Sequence, residues 1–138
     1  MDEVPIRSTK KTNLFEFLEF REFAVDDLGG GIYKVSRDEE LPVFLRIGDG
    51  NIFFEIDLGN INEIASQDLY FKLLDLNTEI LPVSLGIDNS NSSDPRLVLV
   101  ERRETSDLCD EELLCVFDSL ELAVDRTAEI LEGAASAA

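Results

Sequence analysis

The side chains able to do chemistry in this chain are almost all carboxylates. Its 138 residues include 30 acidic and 12 basic side chains and no histidine, for a formal net charge of −18. Without histidine the commonest general base is missing, and so are the usual partner of a serine or cysteine nucleophile and the commonest metal ligand. Adjacent acids such as Asp26 and Asp27 are the remaining means of acid–base work or cation binding, but among 30 carboxylates adjacency has no specificity. Gly48-Asp49-Gly50-Asn51 lacks the preceding acids and the spacing of a calcium loop. Gly29-Gly30-Gly31 follows a helical pattern and precedes a strand pattern, the reverse of a phosphate-cradling loop. Cys109 and Cys115 fall in one predicted helix, where they cannot bridge each other, and no neighbouring base lowers a thiol pKa. The chain therefore reads as non-enzymatic, with no metal and no cofactor.

What the charge does bear on is partners. A strongly acidic chain without a basic stripe repels phosphate backbones and anionic lipid surfaces, which excludes nucleic acid. The longest apolar run, Leu113 to Phe117, is far shorter than the roughly twenty residues a membrane span needs, so no membrane insertion is expected. Nothing at the N-terminus has the apolar core of a secretory signal, and the expected location is cytoplasmic. From Glu104 onward ten acids face a single base, Arg126, which makes either a solvated helix face or a surface that steers a basic partner.

Hydrophobic spacing gives the elements. Residues 1–12 read as a mobile arm carrying Arg7, Lys10 and Lys11. A helix follows, capped by Asn13 with Glu16 three residues on and running to about Asp27; the three glycines stop it. Ile32 to Arg37 alternates as a strand. The firmest element is Leu41 to Gly59, a hairpin in which Val43, Leu45 and Ile47 share one face of the first strand and Phe54, Ile56 and Leu58 one face of the second, closed by Gly48-Asp49-Gly50-Asn51. Ser66 caps a second helix to about Leu76, with Leu69, Leu73 and Leu76 as its stripe, widened by Tyr70 and Leu74. Leu81 to Asp88 and Arg96 to Arg102 are strands, the first marked as a sheet edge by Pro82 and the second apolar on both faces. A long helix opens at Ser106 or Asp107, carries an apolar stripe from Leu113 to Leu131, and ends at Gly133 before a frayed tail, 133–138. Residues 13–132 are thus expected to form a single α+β domain, an antiparallel sheet packed against helices.

Three residues stand out as candidates for partner binding. Phe15 and Phe23 lie on or beside the acidic face of the first helix, where they are either covered by another part of the chain or form an exposed apolar patch. Pro82 marks an edge that can accept an added strand.

The order helix, three strands, helix, two strands, helix, with the small size, the acidity and the long C-terminal amphipathic helix, resembles the type III secretion chaperone-like superfamily over residues 13–132. Within it the chain is similar to the bacterial YjfI-like family, through LPVF at Leu41–Phe44, LPVSLGID at Leu81–Asp88 and LELAVDRTAEIL ending at Leu131. The resemblance implies an α-β-β-β-α-β-β-α fold and a homodimer that binds extended segments of another protein without ATP. The neighbourhood of YjfI-like proteins implies an alternative, a regulatory partner of a phage-shock-type membrane-stress coiled-coil protein that presents a basic helix.

Overall fold

The computed structural model describes residues 4–6, 12–106 and 108–137. Six strands form one antiparallel sheet: β3 (Ala24–Gly29), β4 (Ile32–Ser36), β5 (Val43–Gly48), β6 (Asn51–Gly59), β7 (Ser84–Asp88) and β8 (Arg96–Glu104). Their spatial order is β3-β4-β5-β6-β8-β7, so β3 and β7 are its two terminal strands. The helices are α1 (Leu14–Phe20), α2 (Gln67–Leu76) and α3 (Asp110–Ala137), and a short pair, β1 (Pro5–Ile6) with β2 (Thr12–Asn13), precedes them. The described residues divide into two compact units, one within 1–56 and 101–117, the other within 57–100 and 118–138.

In the first unit the Asn13 side chain accepts the Glu16 N–H at 2.9 Å and caps α1, as its spacing predicts. The helix is shorter than its sequence pattern. It closes at Phe20, Glu22 takes a left-handed conformation (φ 67°), and the Phe23 N–H turns back to the Leu18 carbonyl at 2.9 Å. Residues 24–29, expected as helix, instead pair with β4. The reason lies in the glycines: Gly30 and Gly31 sit at φ 65° and 78° and form the turn of a hairpin, not a helix stop. A side chain at Gly31 would also put its Cβ 3.0 Å from the Ile47 carbonyl oxygen. The expected hairpin is formed by β5 and β6, paired with Gly48 opposite Asn51 and with the turn residues Asp49 and Gly50 at φ 54° and 74°.

Rings knit this unit's core. Phe15 meets Tyr33 at 4.4 Å between centroids, Phe23 meets Phe117 at 4.7 Å, and Phe54 meets Phe117 edge-on at 5.9 Å. The expected mobile arm is in part a packed element: Val4 and Ile6 are buried, and the Leu14 N–H donates to the Val4 carbonyl. Arg7, Lys10 and Lys11 lie outside the described residues.

The second unit has its own core of Ile61, Leu69, Leu73 and Leu97, backed by Leu85, Ile130 and Leu131. Ser66 Oγ accepts the Leu69 N–H at 3.0 Å and caps α2, which turns its leucine stripe inward. Leu97, Val98 and Leu99 are buried in succession, as a strand covered on both faces requires. α3 begins at Asp110, later than Ser106, while Asp107 lies outside the described residues. It also runs through Gly133 to Ala137; the alanines after the glycine are strong helix formers, and Ala134 packs on the core just named. Among the described residues no helix is long and apolar enough to cross a membrane.

Candidate protein-binding surfaces

A carboxylate is the first place to look for chemistry, and one is buried. The Glu101 side chain on β8 is 1% exposed; its Oε1 accepts from Arg103 at 2.8 Å, and Oε2 has no hydrogen-bond partner. Burial raises its pKa, the Arg103 guanidinium opposes the rise, and Glu112, 3.5 Å from Arg103 on the other side, adds to it. One protonatable group held by one arginine is a packing element with a cost, not an acid–base pair. Among the described residues no cluster of three or more acids and cysteines is arranged to hold a metal ion. Cys109 is half-buried just ahead of α3 and Cys115 is exposed on it, both as free thiols. The polar network of Asp57, Asp94 and Arg96 joins β6 to β8: Arg96 Nε donates to Asp57 at 3.1 Å, and Asn60 donates to Asp94 at 2.8 Å, which lowers the Asp94 pKa. It fastens a loop.

Among the described residues, exposed large apolar side chains cluster on α2; the others are Phe20, Leu28, Ile32 and Leu41 in the first unit and Leu81, Ile87 and Leu122 in the second. In the second unit, Tyr70 and Phe71 lie side by side on α2 with Leu74 one helical turn on, and Phe71 is 71% and Leu74 68% exposed. Beside them runs a groove of about 190 Å³ lined by Tyr70, Leu73, Leu74, Asn77, Leu85 and Ile87, almost wholly apolar. Ridge and groove therefore lie next to each other on one face formed by α2 and β7. The Asn77 amide crosses from the end of α2 to the middle of β7, where its Oδ1 accepts the Leu85 N–H at 2.6 Å.

In the first unit, Phe20 ends α1 with its ring 81% exposed, and Leu28 on β3 is 54% exposed. β3 is a terminal strand bulged between Asp27 and Gly29, where Asp27 Oδ1 accepts the Gly29 N–H at 2.9 Å. Its side chains are mostly exposed, Asp26 and Asp27 among them.

The residues singled out from the sequence stand differently. Phe15 and Phe23 are 3% and 5% exposed, so of the two alternatives the rings are covered by the chain itself and do not form the candidate binding patch; once the chain folds back after Glu22, Tyr33 and Phe117 cover them. Arg37 lies over the Phe23 ring at 4.9 Å as well. Pro82 is exposed beside the exposed Leu81, two residues ahead of terminal strand β7. Sequence reasoning passed over Phe20, Leu28, Phe71 and Asn77. The signal for Phe71 was available: a large ring outside the stripe of Leu69, Leu73 and Leu76. Tyr70 and Leu74, read as widening that stripe, are exposed.

The comparisons with known proteins agree with the fold. One chain of the heterodimeric ExoU–SpcU complex from the type III secretion system of Pseudomonas aeruginosa superposes with a TM-score of 0.70 at 19% identity, covering 87% of this chain and 98% of that one. YbjN from E. coli superposes with a TM-score of 0.54 at 15% identity, covering 89% and 90%. No curated protein matches by sequence. The profile of the Tir chaperone protein (CesT) family matches residues 12–125, and the chain belongs to that family.

Proposed function

We propose that the protein is a non-enzymatic chaperone that, as a homodimer, holds an extended segment of a client protein. The observation that carries this reading is the exposed apolar side chains of each unit, Phe71 and Leu74 in one and Phe20 and Leu28 in the other, on a chain charged heavily enough to stay dispersed. The α2–β7 face, bordered in sequence by Leu81 and Pro82, is self-complementary: it offers the ridge of Phe71 and Leu74 beside a groove wide enough for one large side chain, which a two-fold interface requires. The β3 edge, flanked by Phe20 and Leu28, suits an added client strand. Asp26 and Asp27 favour a client with basic residues between its apolar ones. The CesT family match and the fold shared with a chain of a secretion complex support the same reading.

A second reading draws on α3, whose exposed Asp125, Glu129 and Glu132 form an acidic face. That face suits a basic helix, as in a regulatory partner of a phage-shock-type coiled-coil protein, in keeping with the YjfI-like resemblance.

One experiment separates them. Tagged protein and its Leu28→Glu variant are used to capture partners from the cells that encode it, at low and high salt, with identification by mass spectrometry. A partner with an extended terminal segment, retained at high salt by the native protein and lost from the variant, bears out the client reading. A coiled-coil partner released by salt and captured equally by both forms overturns it in favour of the second.

A further inference from the structure

Terminal strand β7 has part of its outer backbone already occupied. Asn77 closes α2, its N–H bonded back to the carbonyls of Leu73 and Leu74, so its side chain is carried at a fixed place on the helix end. From there Oδ1 accepts the Leu85 N–H at 2.6 Å, and Nδ2 reaches the Leu85 carbonyl at 3.5 Å. A primary amide offers one acceptor and a donor side by side, as the backbone of a neighbouring strand does. Leu85 lies opposite Leu99 in the ladder with β8, yet its N–H turns to Asn77. Alternation then places the outward backbone groups of this segment at residues 83, 85 and 87. The Val83 N–H is bonded to the Ile80 carbonyl at 3.0 Å. Within β7 the outward positions are Leu85 and Ile87, and a strand laid along this edge would find the first filled by Asn77 and the N–H of the residue ahead, Val83, tied into a turn.

We propose that Asn77 is an edge lock, a positioning residue whose amide stands in for the next strand and prevents β7 from accepting one. A partner at the α2–β7 face is then held by side chains alone, with one large apolar side chain such as Phe71 entering its groove, and the sheet does not continue across the contact. The identity of that partner as a second copy rests on the homodimer reading above; the lock does not.

The test is amide hydrogen exchange of the full chain, resolved at Leu85, across a range of protein concentrations with mass followed by light scattering. The lock predicts that Leu85 is already protected at concentrations where the mass is that of one chain. Asn77→Ala lowers that protection by about tenfold or more, while Asn77→Asp, which keeps an acceptor oxygen, retains most of it. A Leu85 amide unprotected in the single chain and protected only where the mass doubles would mean that a partner strand supplies the bond, and it overturns the lock. So does protection left unchanged by Asn77→Ala. A mass that stays at one chain refutes the homodimer reading and leaves the Leu85 result to decide the lock on its own.

Discussion

The two terminal strands of the sheet, β3 and β7, guard their open edges by different means. β7 is closed by a neutral amide, and a guard of that kind rejects any strand whatever its sequence. β3 carries a bulge and two exposed carboxylates, and charge rejects selectively: acidic strands are repelled, and basic ones are not. Both strands have exposed apolar side chains nearby, so the side chains alone do not separate them. The lesson is that apolar exposure marks where a protein can be met, while the state of the edge backbone decides whether the meeting is strand to strand or side chain to side chain.

The largest expected effect tests where the apolar surface of the first unit ends. Phe23 lies against Phe117 and is buried, so Phe23→Ala should lose about 3–5 kcal/mol of stability in a denaturant titration. Phe15→Ala, which strips the ring from Tyr33, should cost a similar amount. A midpoint that hardly moves would put these rings back at the surface and extend the β3 patch beyond Phe20 and Leu28. Next in size is the α2 ridge. Leu74→Glu should weaken self-association by about tenfold or more, measured by sedimentation, with unfolding stability within about 0.5 kcal/mol of the native protein. A variant that dimerises as before would move the dimer contact away from this face and leave the groove beside β7 without an occupant.

Much of this arrangement was legible in the chain. The β5–β6 hairpin, both side-chain caps at Asn13 and Ser66, and the inward stripe of α3 follow from spacing of two or 3.6 and from one turn chemistry each, all local signals. The stretch after Phe20 reads as helix because Ala24 and Val25 continue the apolar sector of Leu14, Phe17 and Leu18 at helical spacing, whereas the left-handed Glu22 and the ladder with β4 are set by pairing partners further along the chain. The same mistake turned three glycines into a helix stop and made two buried rings into a candidate patch. Asn77 could not be found from spacing at all. An asparagine after a helix reads as a cap, and its second role depends on β7 returning eight residues later to meet it.

The smallest effect concerns Glu101, the buried carboxylate of the first unit, and is read as a dependence on pH. Its pKa is raised by burial, so the native state takes up its proton at a pH where the unfolded chain has not yet done so. Between the ordinary glutamate pKa and the raised one, the native state binds more protons than the unfolded state, and this group therefore makes stability rise as pH falls. The exposed Asp94, lowered chiefly by its bond from Asn60, acts in the opposite direction but only below the ordinary aspartate range. Relief of the overall negative charge on acidification is common to the native protein and any single variant, so a difference isolates Glu101. Glu101→Gln has no proton to take up there. Its stability minus that of the native protein should be most positive near neutral pH and should decline steadily as the solution is brought toward the ordinary glutamate pKa. A difference that stays level over that interval would mean that Arg103 holds Glu101 ionised as readily in the folded chain as in the unfolded one. The unpartnered Oε2 would then be reached by water.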